Sequence, residues 1–283
     1  MPRDNSNLSS VAVIGPGRIG QAMGRLLAQA GIAVVCVAAR RLAAARNAAR
    51  FIGQGRAVRL EDLGPQDAAV FLITTSDSSV AQLAANLAKR GQGEKPWLGK
   101  VVLHTCGSLP SDVLRPIKRK GAAIGSLHPF QTVPSPQAGM RNLRGGFWGI
   151  EGDRRAVRVA KNWIKLLEGV AFPVRSGKKT LYHLSAFISC ATVVTLMAEA
   201  ADLLKLAGVP EKISRPMLRQ FVGQTAGNFA DLGPRALTGP AVRGDWVTIR
   251  RHLAALSKAA PEFVPVYRSL LTAMLRLAEQ SRA

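Results

Sequence analysis

Acidic side chains are scarce: 17 Asp and Glu stand against 39 Lys and Arg in 283 residues, a formal net charge of +22. Aromatic residues are few as well, at 5%. Such a charge balance raises nucleic-acid binding as a class. The cations, however, are spread along amphipathic segments, with no basic block interleaved with aromatics and no zinc-finger or RRM-type signature. Specific nucleic-acid binding is not expected; a solvated basic surface that attracts anionic ligands is. Only three cysteines occur, Cys36, Cys106 and Cys190, odd in number and unclustered. That argues against a disulfide framework and a zinc site, and no metal is expected. The opening MPRDNSNLSS lacks the apolar core of a secretory leader, so the chain is expected to be cytoplasmic. Its most apolar run, Leu184 to Met197, is too short to span a bilayer and carries Ser, Thr and Cys, which reads as a buried helix.

Two patterns follow one another along the chain. After the polar leader, apolar strands alternate with helices: VAVI, then IAVVCVAAR, a short AVRL, AAVFLITTS, KVVLHTCGS and AAIGSLHP, with amphipathic segments between them. Continuous apolar strands alternating with helices predict a mostly parallel sheet covered on both faces. From Lys178 the strand pattern stops and helical periodicity runs to the end. The expected organisation is therefore an α/β doubly wound domain over residues 10–177 and an all-α domain over 178–283.

Gly15-Pro16-Gly17-Arg18-Ile19-Gly20 is G-x-G-x-x-G, placed between the strand VAVI and a helix. In that context Gly15 makes the tight turn, Gly17 lets the backbone approach a pyrophosphate, and Gly20 lets helix and strand pack. About twenty residues on, an NAD site would carry Asp or Glu for the ribose 2′-hydroxyl. Arg40 and Arg41 stand there instead, and no acidic residue occurs between Asp4 and Glu61. Guanidinium forks suit a 2′-phosphate, so NADP(H) is expected over NAD.

Ligands of an open α/β sheet lie outside the carboxyl ends of its strands. Polar residues gather there: Thr74, Thr75, Ser76 and Asp77; His104, Thr105, Cys106, Gly107 and Ser108; Ser126 and His128. Thr74, Thr75, Ser76, His104 and Ser108 are expected along the cofactor. His128 is suited to move a proton during hydride transfer between an alcohol and a carbonyl. A histidine that merely ends its strand is the alternative. Lys179 and His183, four apart, share one helix face and are expected to hold a substrate carboxylate or polarise its carbonyl. ALTGPAVRGDW reads as an inter-helix loop, either closing over substrate or held as a turn by Arg243 and Asp245.

VAVIGPGRIG, LHTCGSL, GSLHPFQTV, WGIEGD, KTLYHLSA and ALTGPAVRGDWVTIRRHL together resemble bacterial Rossmann-like oxidoreductases whose C-terminal half is a domain of unknown function. The resemblance implies an NADP-binding domain joined to a helical domain similar to that of 6-phosphogluconate dehydrogenase, usually a dimerisation element. The wider superfamily includes pyrroline-5-carboxylate reductase and ketopantoate reductase. SLHPF resembles the His-Pro motif of prephenate dehydrogenases, which implies a proton acceptor at His128. Lys179-x-x-x-His183 resembles the Lys-x-x-x-Asn pair of β-hydroxyacid dehydrogenases, with His183 replacing the asparagine. Cys190 stands where the close family tends to have an asparagine.

The expected function is an NADP(H)-dependent oxidoreductase acting on a small anionic keto, hydroxy or imino acid, as a homodimer. A non-catalytic NADP(H) sensor is the alternative, since fold alone does not fix function.

Overall fold

The computed structural model describes residues 10–280; the polar leader ahead of Ser10 lies outside them. Two compact units form, the first ending at Cys190 and the second starting at Ala191. The first contains strands β1 (Ser10–Ile14), β2 (Ala33–Ala39), β3 (Arg56–Arg59), β4 (Val70–Ile73), β5 (Val101–His104), β6 (Ala123–Pro129), β7 (Phe147–Gly152) and β8 (Val170–Pro173). They make one sheet of order β3-β2-β1-β4-β5-β6-β7-β8. All neighbouring pairs are parallel except β6 with β7. Helices α1 (Arg18–Gln29), α2 (Leu42–Ile52), α3 (Asp77–Ala88), α4 (Arg115–Lys118), α5 (Pro136–Asn142) and α6 (Arg154–Leu166) connect the strands.

Strand alternation explains why both faces are covered. Val11 and Val13 point into a core with Leu26, Leu27, Trp148 and Trp163, while Ala12 and Ile14 point into a second core with Phe71, Leu83, Leu87 and Trp97. The expected doubly wound, mostly parallel sheet is present. Its central strands β1, β4 and β5 put polar residues only at or beyond their ends, so one edge of the sheet becomes the site.

Helix α7 (Lys179–Phe187) passes through a π-helical turn, Ile188–Thr192, into α8 (Val193–Leu206). The second unit continues with α9 (Glu211–Leu232), α10 (Pro240–Arg243), α11 (Trp246–Ala259) and α12 (Val264–Gln280), an all-α arrangement as expected. Helix α9 starts at Glu211, ahead of Pro216. That proline lies inside the helix, where it removes the i→i−4 bond to the Lys212 carbonyl and crowds that carbonyl. The ALTGPAVRGDW loop folds α10 within it, and Asp245 caps α11 by accepting the Thr248 N–H at 3.0 Å. No Arg243–Asp245 salt bridge forms among the described residues.

The apolar run departs from the buried helix expected of it. The apolar run belongs to a continuous helical stretch, Ser176–Leu206, of 31 residues, with a window of mean hydropathy 1.7 that is 0% buried. By length and composition alone it is sufficient to cross a membrane. Leu184, Phe187, Ile188 and Val194 are exposed. The polar face of α7, with Lys179, Tyr182 and His183, packs on the sheet, which leaves the apolar residues turned outward.

Candidate active site

The glycine loop has the geometry its spacing predicts. Gly15 adopts φ 72°, a left-handed conformation that disfavours other residues, and a Cβ there would collide with Thr75. A Cβ on Gly20 would collide with Thr74. At Gly17, by contrast, the nearest atom to a Cβ is the Gly15 carbonyl at 4.0 Å, so this face is open. Thr74 Oγ1 fastens the loop by donating to the Ile14 and Gly15 carbonyls at 3.1 and 2.8 Å. The Pro16 carbonyl accepts from Gln21 at 3.0 Å, and Ile19 packs against the core.

Helix α1 begins after Gly17 with no side-chain cap and no acidic residue in its first turn. Its amides and dipole therefore favour an anion at that end. Beside it, Thr75 Oγ1 is buried with no hydrogen-bond partner among the described residues, a cost that a ligand contact would remove. An open Gly17, an uncapped helix and an orphaned hydroxyl together fit a dinucleotide pyrophosphate.

Arg40 follows β2 and Arg41 is the N-cap residue of α2. Both are exposed, and neither forms a salt bridge among the described residues. Arg18 reaches the Pro134 carbonyl at 3.5 Å. Ser76 is the N-cap residue of α3, its hydroxyl 2.9 Å from that of Ser79. Ser108 Oγ donates to Asp77 Oδ2 at 2.5 Å. Burial opposes ionisation of Asp77, but hydrogen bonds from Ser108 and Cys106 hold its carboxyl below the ordinary value.

His104 departs from expectation. It is 0% exposed; Nδ1 accepts the Cys106 N–H at 3.1 Å and Nε2 lies 3.3 Å from the Pro110 carbonyl. Burial and then the Lys179 charge press its pKa down to about 4. With both nitrogens engaged inside the protein, it is a neutral structural histidine with none left for a cofactor.

Strand β6 and helix α7 build the other half of the site. Ser126 and His128 lie two apart on β6 and so share a face; Lys179, Tyr182 and His183 lie three and four apart on α7 and face them. Lys179 Nζ donates to Ser126 Oγ at 2.9 Å. His128 Nδ1 is 2.9 Å from Tyr182 Oη, and the His128 and His183 ring centroids are 5.8 Å apart. Burial, then the Lys179 and His183 charges, lower the His128 pKa to about 3. The ring is thus neutral near pH 7.

Lys179 does share a face with His183, but its side chain does not open onto the crevice. It is 1% exposed and anchors a buried network. Glu151, on β7, accepts from Ser111 N at 2.5 Å, Ser111 Oγ at 2.9 Å, Ser126 Oγ at 3.0 Å and Ser176 Oγ at 2.9 Å. Lys179 therefore joins a buried carboxylate through Ser126. Burial lowers the lysine pKa and the Glu151 charge opposes that shift. This places Lys179 behind the site, where it positions α7, and leaves His128 and His183 as the titratable pair nearest Gly107. Among the described residues no cluster suited to a metal occurs.

Sequence reasoning did not single out Tyr182, Glu151, Gly107 or Gly149. A Cβ on Gly107 would lie 2.5 Å from His183 Cδ2 and 2.7 Å from His128 Nε2. A Cβ on Gly149 would lie 2.8 Å from Tyr182 Oη. The three-residue step from Lys179 in KTLYH was the available signal for Tyr182.

These features define a two-domain fold in which a glycine-loop sheet is followed by an all-α domain. Residues 2–129 match the model of a Rossmann-like domain, and residues 146–274 match a domain of unknown function, DUF2520. No curated protein matches the chain. Among solved structures, a Bacteroides fragilis protein described as an NADP oxidoreductase is 24% identical, with 95% of this chain and 99% of that one covered at a TM-score of 0.77. A Thermotoga maritima protein is 23% identical, covering 96% and 100%, at 0.72. Pyrroline carboxylate reductase of Plasmodium falciparum with NADP bound is 13% identical, covering 96% and 97%, at 0.62. At these identities the likeness establishes the fold, a Rossmann domain followed by an all-helical domain.

Proposed function

We propose that the protein is an NADP(H)-dependent oxidoreductase of a small anionic keto, hydroxy or imino acid. One observation carries the reading: the open Gly17 face and orphaned Thr75 hydroxyl lie on the same sheet edge as the His128, Tyr182 and His183 cluster. Gly15, Pro16, Gly17, Arg18, Ile19 and Gly20 would hold the pyrophosphate, Arg40 and Arg41 a 2′-phosphate, and Thr74, Thr75, Ser76 and Ser108 the remainder of the cofactor. When bound, that cofactor supplies or accepts hydride. His128 and His183 would meet the substrate, and Lys179 would fix α7 behind them. The excess of cations, +22 overall, favours anionic ligands. The described NADP oxidoreductase and the NADP-bound reductase among the similar structures agree with this reading.

Residues 10–177 would form the cofactor domain and 178–283 the substrate and dimerisation domain. Ile213, Met217, Phe221, Phe229 and Leu232 are exposed along α9, an apolar surface that a second copy would cover. The Ser176–Leu206 stretch is read the same way. Lys179 and Tyr182 bind its first turns to the sheet, contacts that a membrane span would break, and a cytoplasmic protein is proposed.

The test is an NADPH-dependent screen of keto and imino acids with wild-type protein and His128→Ala. Turnover that His128→Ala loses while NADPH affinity survives supports the assignment. NADPH binding with no turnover on any acid would favour the sensor instead.

A further inference from the structure

Resting on the oxidoreductase reading, we propose that His128 acts as a neutral hydrogen-bond donor through Nε2–H, with its tautomer fixed by Tyr182, while the proton itself is carried by His183. The geometry begins at the phenol. Tyr182 Oη has one proton of its own to place. Two acceptors compete for it: His128 Nδ1 at 2.9 Å and the His128 carbonyl at 3.4 Å. The first distance is ordinary and the second is long for an O–H donor, so the phenol donates to Nδ1. A neutral imidazole whose Nδ1 lone pair is engaged carries its hydrogen on Nε2.

Two glycines make the arrangement sterically accessible. Gly149 admits the phenol, since a Cβ would lie 2.8 Å from Oη. Gly107 lets Nε2 and the His183 ring approach one stretch of backbone, since a Cβ would lie 2.7 Å from Nε2 and 2.5 Å from His183 Cδ2. Nitrogen Nε2 is thus turned away from Tyr182 and toward the side that His183 shares. Lys179 and His183 set positive or potentially positive charge against the ring, and among the described residues the Asp77 carboxylate opposes them. That field resists a second proton on His128.

The chemistry then divides between the two rings. Hydride addition to a C=O or C=N carbon moves the π pair onto the heteroatom, which takes up one proton. The hydride comes from a bound reduced dinucleotide, which is oxidised in the step. His128 Nε2–H donates to the heteroatom as electron density grows there and keeps its own proton. His183 gives up the proton and regains one from water. A donor aimed at developing charge is commonly worth about 10²–10³ in rate.

The test uses full-length protein labelled with ¹⁵N-histidine, with the His128 signals assigned by their loss in His128→Gln. The expected spectrum shows a neutral ring with hydrogen on Nε2 that does not titrate between about pH 8 and 5.5, since the ring's pKa is near 3. Tyr182→Phe should move the Nδ1 resonance, because the bond to it is gone. A hydrogen on Nδ1, or an imidazolium at pH 6, overturns the proposal. The kinetic arm compares His128→Gln, whose amide donates a hydrogen bond but carries no proton, with His128→Ala. Gln should stay within about 10-fold of wild type while Ala loses about 10²–10³; equal losses overturn the assignment. If no acid is turned over, the oxidoreductase reading fails, and the nitrogen shifts still decide the tautomer.

Discussion

Neutralising Glu151 and Lys179, singly and together, tests whether the buried network holds the site as one unit. The carboxylate accepts four hydrogen bonds of 2.5–3.0 Å from Ser111, Ser126 and Ser176, and Ser126 passes the contact to a lysine only 1% exposed. In Glu151→Gln the amide nitrogen faces hydroxyl donors and the lysine loses its counter-charge. Removing one partner of a buried charged pair costs about 3–5 kcal/mol, and the retained amide oxygen trims this to about 2–4 kcal/mol. At roughly 2–4 °C per kcal/mol for a domain of this size, the midpoint should fall by about 4–16 °C. Lys179→Met removes a charge whose burial is itself unfavourable, yet leaves Glu151 ionised and uncompensated; about 2–4 kcal/mol is expected. The double variant removes both charges and should be more stable than the sum of the singles by about 1–3 kcal/mol. Urea unfolding followed by tryptophan fluorescence reads this directly. Trp97, Trp148 and Trp163 are buried in the sheet unit, whereas Trp246 is 49% exposed. Single costs below about 1 kcal/mol, or a strictly additive cycle, would refute the coupling through Ser126.

Two further outcomes follow from the same geometry. His128 and His104 have folded pKa values near 3 and 4, below the unfolded value of about 6.5. The unfolded chain therefore binds more protons below pH 6.5, and stability should fall as pH drops from 7 toward 5, by at most about 1.4 kcal/mol per pH unit for each ring. His128→Gln should remove its share of that slope, and an unchanged slope in urea midpoints measured across this range would contradict the neutral assignment. Gly107→Ala should abolish turnover with NADPH affinity retained, since the new methyl enters the contact between His128 and His183; unimpaired turnover would show that their approach is dispensable.

The fold was legible because its signals are local. Apolar strands, the glycine loop and the change to helical periodicity after Lys178 are each contained in a few residues. The polar ends of β4, β5 and β6 were legible too, and they lie on the sheet edge to which the proposed function is assigned. His104 was misread because sequence shows a polar residue at a strand end but not that Cys106 and Pro110 turn back to occupy both ring nitrogens. Glu151 was invisible for a related reason: its donors come from positions 111, 126 and 176, and only the antiparallel register that sets Ser126 opposite Glu151 gathers them. Burial of Lys179 depended on the same register. The apolar run was legible as a helix, but its exposure was not, because composition does not say which side of α7 meets the sheet.

The most direct test of the central claim is a binding titration of the purified protein with NADPH and NADH, repeated on Arg40→Ala/Arg41→Ala. Wild-type protein should prefer NADPH. The double variant should lose about 10–100-fold in NADPH affinity, the equivalent of one charge-assisted hydrogen bond, with little change for NADH. Equal losses for both cofactors would remove the 2′-phosphate assignment, and no binding of either would contradict the account from Gly15 onward.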